Sequence, residues 1–171
     1  MTKRLKVVIL GPFNSGKTTF VKNLSDVKPI TTDQPLSKPV KNKKTTTVAF
    51  DYGRKRIRGI IVHLYGTPGE DRFNFLREYF AKNSDALIFI VRDDDKQALE
   101  NTVKIYREIS KYRKPHVIII NRTGRGEITP EQLRLKLNLD NVPIYSTSVV
   151  NKGELESVFY RIVDTFTSII R

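Results

Sequence analysis

Gly11-Pro12-Phe13-Asn14-Ser15-Gly16-Lys17-Thr18 is the stretch from which the fold can be read. It satisfies G-x-x-x-x-G-K-[ST] in full. A loop of this kind curls around a phosphate with its N–H groups turned inward, so glycine must stand where side chains would collide. The apolar run Leu5–Leu10 ahead of it reads as a buried strand, and Lys17–Leu24 behind it as a helix. That helix aims the positive end of its dipole at the same anion. Lys17 would neutralise the β- and γ-phosphates of a nucleoside triphosphate, and Thr18 would ligate Mg2+ through its hydroxyl. Asn14, Ser15, Gly16 and Thr19 complete the expected phosphate-holding set. An accidental glycine turn would lack the strand before it and the helix after it.

Outward from this loop, strand and helix patterns alternate without repeats or a dividing linker. Ser25–Lys44 is polar and carries Pro29, Pro35 and Pro39, which predicts a long functional loop. Thr45–Tyr52 and Arg56–Leu64 are β-rich runs, read as a hairpin joined around Gly53. Helices are expected over Asp71–Lys82, Asp95–Tyr112, Pro130–Leu137 (with Thr129 as N-cap) and Lys152–Ile170. Strands are expected over Ala86–Val91, Pro115–Ile120 and Val142–Tyr145. The sum is an α/β chain forming one domain over residues 1–171. It has a six-stranded, mostly parallel sheet with one antiparallel strand and about five helices covering both faces.

Composition narrows the class. The 171 residues contain no Cys, so disulfides, thiolate metal sites and thioether lipids are out. No run approaches the ~20 apolar residues of a membrane span, and Val7–Leu10 is too short for a leader. These readings predict a cytoplasmic protein without a transmembrane segment. The formal charge of +13 is uneven: residues 1–60 carry 14 Lys and Arg against 3 Asp and Glu, residues 61–171 carry 17 against 15. Lys41, Lys43, Lys44, Arg54, Lys55, Arg56 and Arg58 hold much of the excess. This 41–58 region is either a solvated Lys-rich surface or a docking face for an acidic partner or an anionic surface. A nucleic acid is the weaker partner, since only Phe50 and Tyr52 interleave with the charges.

Tyr65-Gly66-Thr67-Pro68-Gly69-Glu70-Asp71-Arg72-Phe73 separates the kinds of protein that carry such a loop. It resembles the D-x-x-G-Q-E-R-F switch II of the Ras-like small GTPases. Thr45-Thr46-Thr47-Val48-Ala49-Phe50 resembles the switch I end of that family, Asn121-Arg122-Thr123-Gly124 its N-K-x-D, and Ser146-Thr147-Ser148 its S-A-K. Gly-Pro in the P-loop and Thr67-Pro68-Gly69 are similar to a prokaryotic and archaeal subgroup that includes gliding-motility switches. Signal-recognition-particle receptor beta subunits and Arf-like proteins are more distant. The resemblance implies a three-layer P-loop NTPase fold, a GTP/GDP ligand, Mg2+ and an effector or regulator protein at the switch loops. It implies that Thr47 (or Thr46, one register away) closes on Mg2+ and the γ-phosphate, with Gly69 as γ-phosphate sensor and Glu70 beside the attacking water. Lys17, Thr47, Gly69 and Glu70 are then the catalytic set, Thr18 and Thr47 the metal ligands. Asn121, Arg122, Ser146 and Thr147 would hold the base.

Four departures modify this expectation. Gly66 stands where the family has the aspartate serving Mg2+; Asp51 or Asp93 would be the replacement, the plainer readings being a hairpin surface residue and a loop carboxylate. Glu70 replaces the water-orienting glutamine, Phe13 crowds the γ-phosphate side of the loop, and Gly124 replaces the guanine-reading aspartate. Glu127, Thr123 or a main-chain carbonyl would have to accept from the base instead. The leading expectation is a slow GTP-hydrolysing switch. Its alternatives are a nucleotide-binding scaffold without useful turnover, an ATP-tolerant site, a nucleotide kinase and a nucleic-acid-associated GTPase.

Overall fold

Val7, Val8, Ile9 and Leu10 are apolar on both sides of the chain, and all four are fully buried at the centre of a sheet covered on both faces. The computed structural model describes residues 2–31, 33–40, 43–47 and 50–170, with 33–40 and 43–47 by backbone alone. In chain order the elements are β1 (Lys3–Leu10), α1 (Lys17–Leu24), β2 (Asp33–Val40), β3 (Lys43–Thr47), β4 (Asp51–Ile57) and β5 (Ile60–Gly66). A 3-10 turn, Asp71–Phe73, leads into α2 (Asn74–Lys82), β6 (Ala86–Arg92) and α3 (Lys96–Ser110). Then come β7 (His116–Asn121), α4 (Pro130–Leu137), β8 (Ile144–Thr147) and α5 (Lys152–Ile169). The main sheet has six strands in the order β4-β5-β1-β6-β7-β8. All its pairs are parallel except β4–β5. This is the α/β architecture expected from the sequence.

Two cores flank the sheet. On one face Phe20, Val21 and Leu24 of α1 meet Leu155, Phe159, Ile162 and Phe166 of α5. On the other, Phe80 of α2, Leu99, Val103 and Ile109 of α3, and Leu133 and Leu137 of α4 close over Val8, Leu10 and Phe89. Thr129 caps α4 through a reciprocal bond with Gln132, as its spacing predicts.

Two expectations about the first third need correction. Ser25–Lys44 is not one long loop, because β2 and β3 pair antiparallel as a separate two-stranded sheet, Asp33 opposite Thr47. Every strand of a two-stranded ribbon is an edge, so Pro35 and Pro39 cost it few ladder bonds. The main-sheet hairpin turns at Arg58 and Gly59, not Gly53, with Ile57 opposite Ile60. Both turn residues have positive φ (47° and 79°), the geometry a two-residue hairpin loop demands. Gly53 lies inside β4, where a Cβ would stand 2.9 Å from Val21 Cγ1 and Ser25 Cβ, so its role is close packing against α1. Smaller shifts are the 3-10 start ahead of α2 and the last strand, which runs Ile144–Thr147.

Candidate functional site

The C-terminal ends of β1, β5, β6, β7 and β8 converge where ligands bind in open α/β sheets. β1 ends at Leu10, and the chain loops through Gly11–Gly16 before α1 begins at Lys17. Gly16 is the N-cap and brings no side-chain cap, and no acid occupies the first turn of α1. That arrangement suits an anion at the helix start. A Cβ at Gly16 would stand 2.7 Å from Asn121 Nδ2, so the loop needs glycine there. Lys17, 7% exposed, donates to Gly11 O at 2.8 Å and Pro12 O at 2.7 Å, with Ser15 Oγ at 3.3 Å. Its ammonium is therefore folded onto the loop it serves. Asn14 adopts a left-handed φ of 62°, Ser15 is buried, and Phe13 and Thr19 are half-buried.

Asn121 joins the loop to the base side of the site. Its Nδ2 donates to Ser15 O at 3.0 Å, and its Oδ1 accepts from Val149 N at 3.2 Å. Beside it an open pocket of about 580 Å³ is lined by Asp93, Arg122, Thr123, Gly124, Gly126, Ser148 and Val150. Arg122 donates its backbone N–H to Thr147 O, while its guanidinium pairs with Glu154 in the first turn of α5. Ser146 is exposed in β8, Thr147 is wholly buried, and the next residue, Ser148, lines the pocket. A Cβ at Gly124 would meet nothing within 4 Å, yet its φ of 88° opposes any L side chain. The position of the missing aspartate is thus spacious but conformationally adapted to glycine. Glu127 sits within 3.8 Å of Lys96.

The two carboxylates considered in place of the missing metal-side aspartate part company. Asp93, 4% exposed, accepts from Thr123 N at 3.0 Å and Thr123 Oγ1 at 2.7 Å, so it braces the base loop. Its own carbonyl takes Glu127 N and Ile128 N. Asp51 is 2% exposed, which overturns its reading as a hairpin surface residue. Its Oδ2 accepts a 2.6 Å bond from Thr18 Oγ1. Sequence reasoning underrated this pair because 33 residues separate its members. The available signal was an acid where β4 begins opposite Gly66.

Switch II lies against the loop. Thr67, 1% exposed, donates Oγ1 to Ile9 O at 2.8 Å and so pins the segment to β1. A Cβ at Gly69 would fall 2.3 Å from Phe13 N and 2.6 Å from Phe13 Cα. Only glycine allows so close an approach. Glu70 is half-buried, and its carbonyl accepts from Arg77 Nη1 at 2.9 Å. Arg77 is fully buried on α2, contacts Pro68 O at 3.4 Å, and lies 3.5 Å from Glu108 of α3. Sequence reasoning did not single out Arg77; its spacing from Phe80 and Ala81 places it on the apolar face of α2. Thr46 and Thr47 belong to β3 by backbone, their side chains lying outside the described residues, as do Val48 and Ala49 altogether.

The basic region also resolves into parts. Lys41 and the side chains of Lys43 and Lys44 lie outside the described residues. Lys55 is 8% exposed, held by Asp26 at 2.9 Å and Glu156 at 2.6 Å, and Arg58 pairs with Asp164 at 2.8 Å. Lys55 therefore serves the fold, whereas the Arg58 pair lies on the surface. Arg54 and Arg56 are exposed and share a sheet face with Arg4, Lys6 and His63. Burial, reinforced by Arg4, Arg54 and Lys6, holds the His63 imidazole below its ordinary pKa.

Comparison with known proteins adds a family. Residues 6–124 match the family described as "Ras of Complex, Roc, domain of DAPkinase". The chain is similar to an uncharacterized protein, MJ1339, of Methanocaldococcus jannaschii, at 33% identity over 129 residues, 75% of this chain and 77% of the other. It is similar to Ras-related protein RABG1 of Arabidopsis thaliana at 22% identity over 176 residues, covering 93% of this chain and 81% of that one. It is also similar to translation initiation factor IF-2 of Paracoccus denitrificans, at 25% over 107 residues, which cover 63% of this chain but 12% of that protein.

Proposed function

The chain belongs to the Roc (Ras of Complex) family of Ras-like P-loop GTPase domains, and on that premise we propose that it is a guanine-nucleotide switch that hydrolyses GTP slowly. One observation carries the reading: Lys17 at the start of α1, Asn121 at the end of β7 and Gly69 after β5 come from three separate segments and converge on a single loop. Lys17 would exchange its contacts with the Gly11 and Pro12 carbonyls for the β- and γ-phosphates, and the N–H groups at the start of α1 would face the same charge. Asn121 ties the base pocket to the phosphate loop, so base and phosphate are read by one rigid unit. Gly69, packed on Phe13, is placed to report whether a γ-phosphate is present. Glu70 would orient water, while its negative charge near a transition state already rich in charge slows the step.

The residues present fit Mg2+. Thr18 offers a hydroxyl and Asp51 a buried carboxylate 2.6 Å from it, hard oxygen donors of the kind Mg2+ takes. When bound, the ion neutralises phosphate charge. Thr47 remains the proposed switch I ligand, with Ser146 and Thr147 behind the base pocket and residues 1–171 as one G domain.

An effector would read the switch loops. Phe75 and Tyr79, 62% and 64% exposed on α2 beside switch II, support such a surface. The Arg4, Lys6, Arg54 and Arg56 face supports an acidic partner. Among the described residues, no helix is long and apolar enough to cross a membrane. A second reading, a nucleotide-holding scaffold with relaxed base choice, draws on Gly124, whose surroundings carry no side chain within 4 Å of its Cβ position. Single-turnover GTP hydrolysis with Mg2+ separates the two. A slow rate above background, abolished in Lys17→Ala, supports the switch; no turnover with bound GTP supports the scaffold.

A further inference from the structure

We infer that Asp51, reaching across the β4–β5 ladder, supplies the carboxylate of the Mg2+ site that Gly66 cannot. The inference rests on the GTP- and Mg2+-dependent reading above. Asp51 and Gly66 are direct partners in the antiparallel register. A Cβ built on Gly66 would lie 3.3 Å from both Asp51 Cβ and Asp51 Oδ2, and 3.4 Å from Val21 Cγ2. A side chain at 66 and the carboxylate from 51 therefore compete for one volume. A side chain on either strand crowds the other there.

The direction of the Thr18–Asp51 bond gives that volume its chemistry. A hydroxyl has one hydrogen and two lone pairs, and an ionised carboxylate only accepts. Thr18 Oγ1 donates its hydrogen to Asp51 Oδ2 over a short 2.6 Å. With the hydrogen turned that way, the Thr18 oxygen keeps the lone pairs through which a hydroxyl would ligate a cation. Thr18 opens the second position of α1 and Asp51 opens β4, so two rigid elements fix the pair at the mouth of the loop. Asp93, the other buried acid near the site, is committed to Thr123 and the base loop. The geometry thus assigns to Asp51 the partnership with the P-loop threonine that holds Mg2+ in P-loop proteins. It acts by orienting Thr18 and by contributing its charge to the metal site.

The test follows release of a fluorescent GDP analogue from the full chain as free Mg2+ is varied, for wild type, Asp51→Asn and the exchange Asp51→Gly with Gly66→Asp. Asp51→Asn should weaken Mg2+ retention in the nucleotide complex by about 10–100-fold, leaving GDP affinity in EDTA within about twofold of wild type. The exchange, checked for folding by thermal melting, should recover most of that loss, since the carboxylate returns from the neighbouring strand. Three results would overturn the assignment: Asp51→Asn retaining the wild-type Mg2+ dependence, equal loss of GDP with and without Mg2+, or a folded exchange variant no better than Asp51→Asn. Wild-type GDP release that ignores Mg2+ would overturn the metal-dependent reading beneath it as well, and is distinct from a Mg2+-dependent wild type matched by Asp51→Asn.

Discussion

At the scale of the residue, Gly69 is the most constrained position of switch II. Its missing side chain lets the segment lie on the backbone of Pro12 and Phe13, where a Cβ would stand 2.3–2.7 Å from main-chain atoms. Gly69→Ala must therefore push switch II off the loop. Misplacement of a positioning group by about 1 Å costs on the order of 100-fold in rate. Single-turnover GTP hydrolysis should fall by about that factor while GDP binding changes by less than about threefold, because GDP lacks the phosphate that switch II is proposed to read. A rate unchanged in Gly69→Ala would contradict the close approach as a functional feature. Glycine spacing and the Gly-Lys-Thr ending are local signals, so the phosphate loop was legible in the sequence. Asp51 and Arg77 were not, because their meaning depends on Thr18 and Glu108, 33 and 31 residues away in the chain.

Among elements, the join between switch II and the helices depends on Arg77. Its guanidinium is buried between Pro68, Glu70 and Glu108, so α2 and α3 together hold the switch turn. Arg77→Met would remove the bonds to the Pro68 and Glu70 carbonyls and the cation beside the partly exposed Glu108, a cost of about 1–3 kcal/mol. Urea denaturation should show a loss of that order, and amide exchange over residues 68–71 should accelerate. A loss below about 0.5 kcal/mol would mean the pair contributes no more than a surface contact. A second join links the turn after α1, β4 and α5 through Asp26, Lys55 and Glu156. Burial pushes the Asp26 carboxyl up, but the Arg56 N–H and the Lys55 ammonium outweigh it and leave the pKa below its ordinary value. Burial likewise opposes the Lys55 charge, and Glu156 and Asp26 overcome it, leaving that pKa raised. The Asp26 contribution is present above the ordinary carboxylate pKa and vanishes as pH falls through the lowered one. The Lys55 contribution is present below its ordinary pKa and vanishes as pH rises through the raised one. Asp26→Asn should thus be less stable than wild type at neutral pH, and the gap should close below about pH 4. A gap independent of pH would exclude ionisation as its source. Here too legibility was uneven. The helix and strand periods of the parallel sheet read directly, whereas β2 and β3 did not. Proline and polar residues suggest a loop unless one knows that both strands are edges.

For the whole molecule, the site lies at the C-terminal ends of the parallel strands, and the basic residues Arg4, Lys6, Arg54 and Arg56 lie on one face of the β1, β5 and β4 side of the sheet. Two apolar cores fix the ends of β1, β5, β6, β7 and β8 around the phosphate loop. The excess positive charge divides into Lys55, buried against Asp26 and Glu156, Arg58 in a surface pair with Asp164, and the face that carries Arg4, Lys6, Arg54 and Arg56. Composition could report the surplus but not this division, which follows from strand register. The base pocket was the least legible part. Asn121 was recognisable, but the replacement of the usual aspartate by Gly124 left the acceptor for the base undetermined by pattern alone. Calorimetric titration of the full chain with GDP and with ADP in the presence of Mg2+ tests the central claim most directly. A guanine-nucleotide switch predicts GDP binding at least about tenfold tighter than ADP; equal affinities, or tighter ADP, would contradict it.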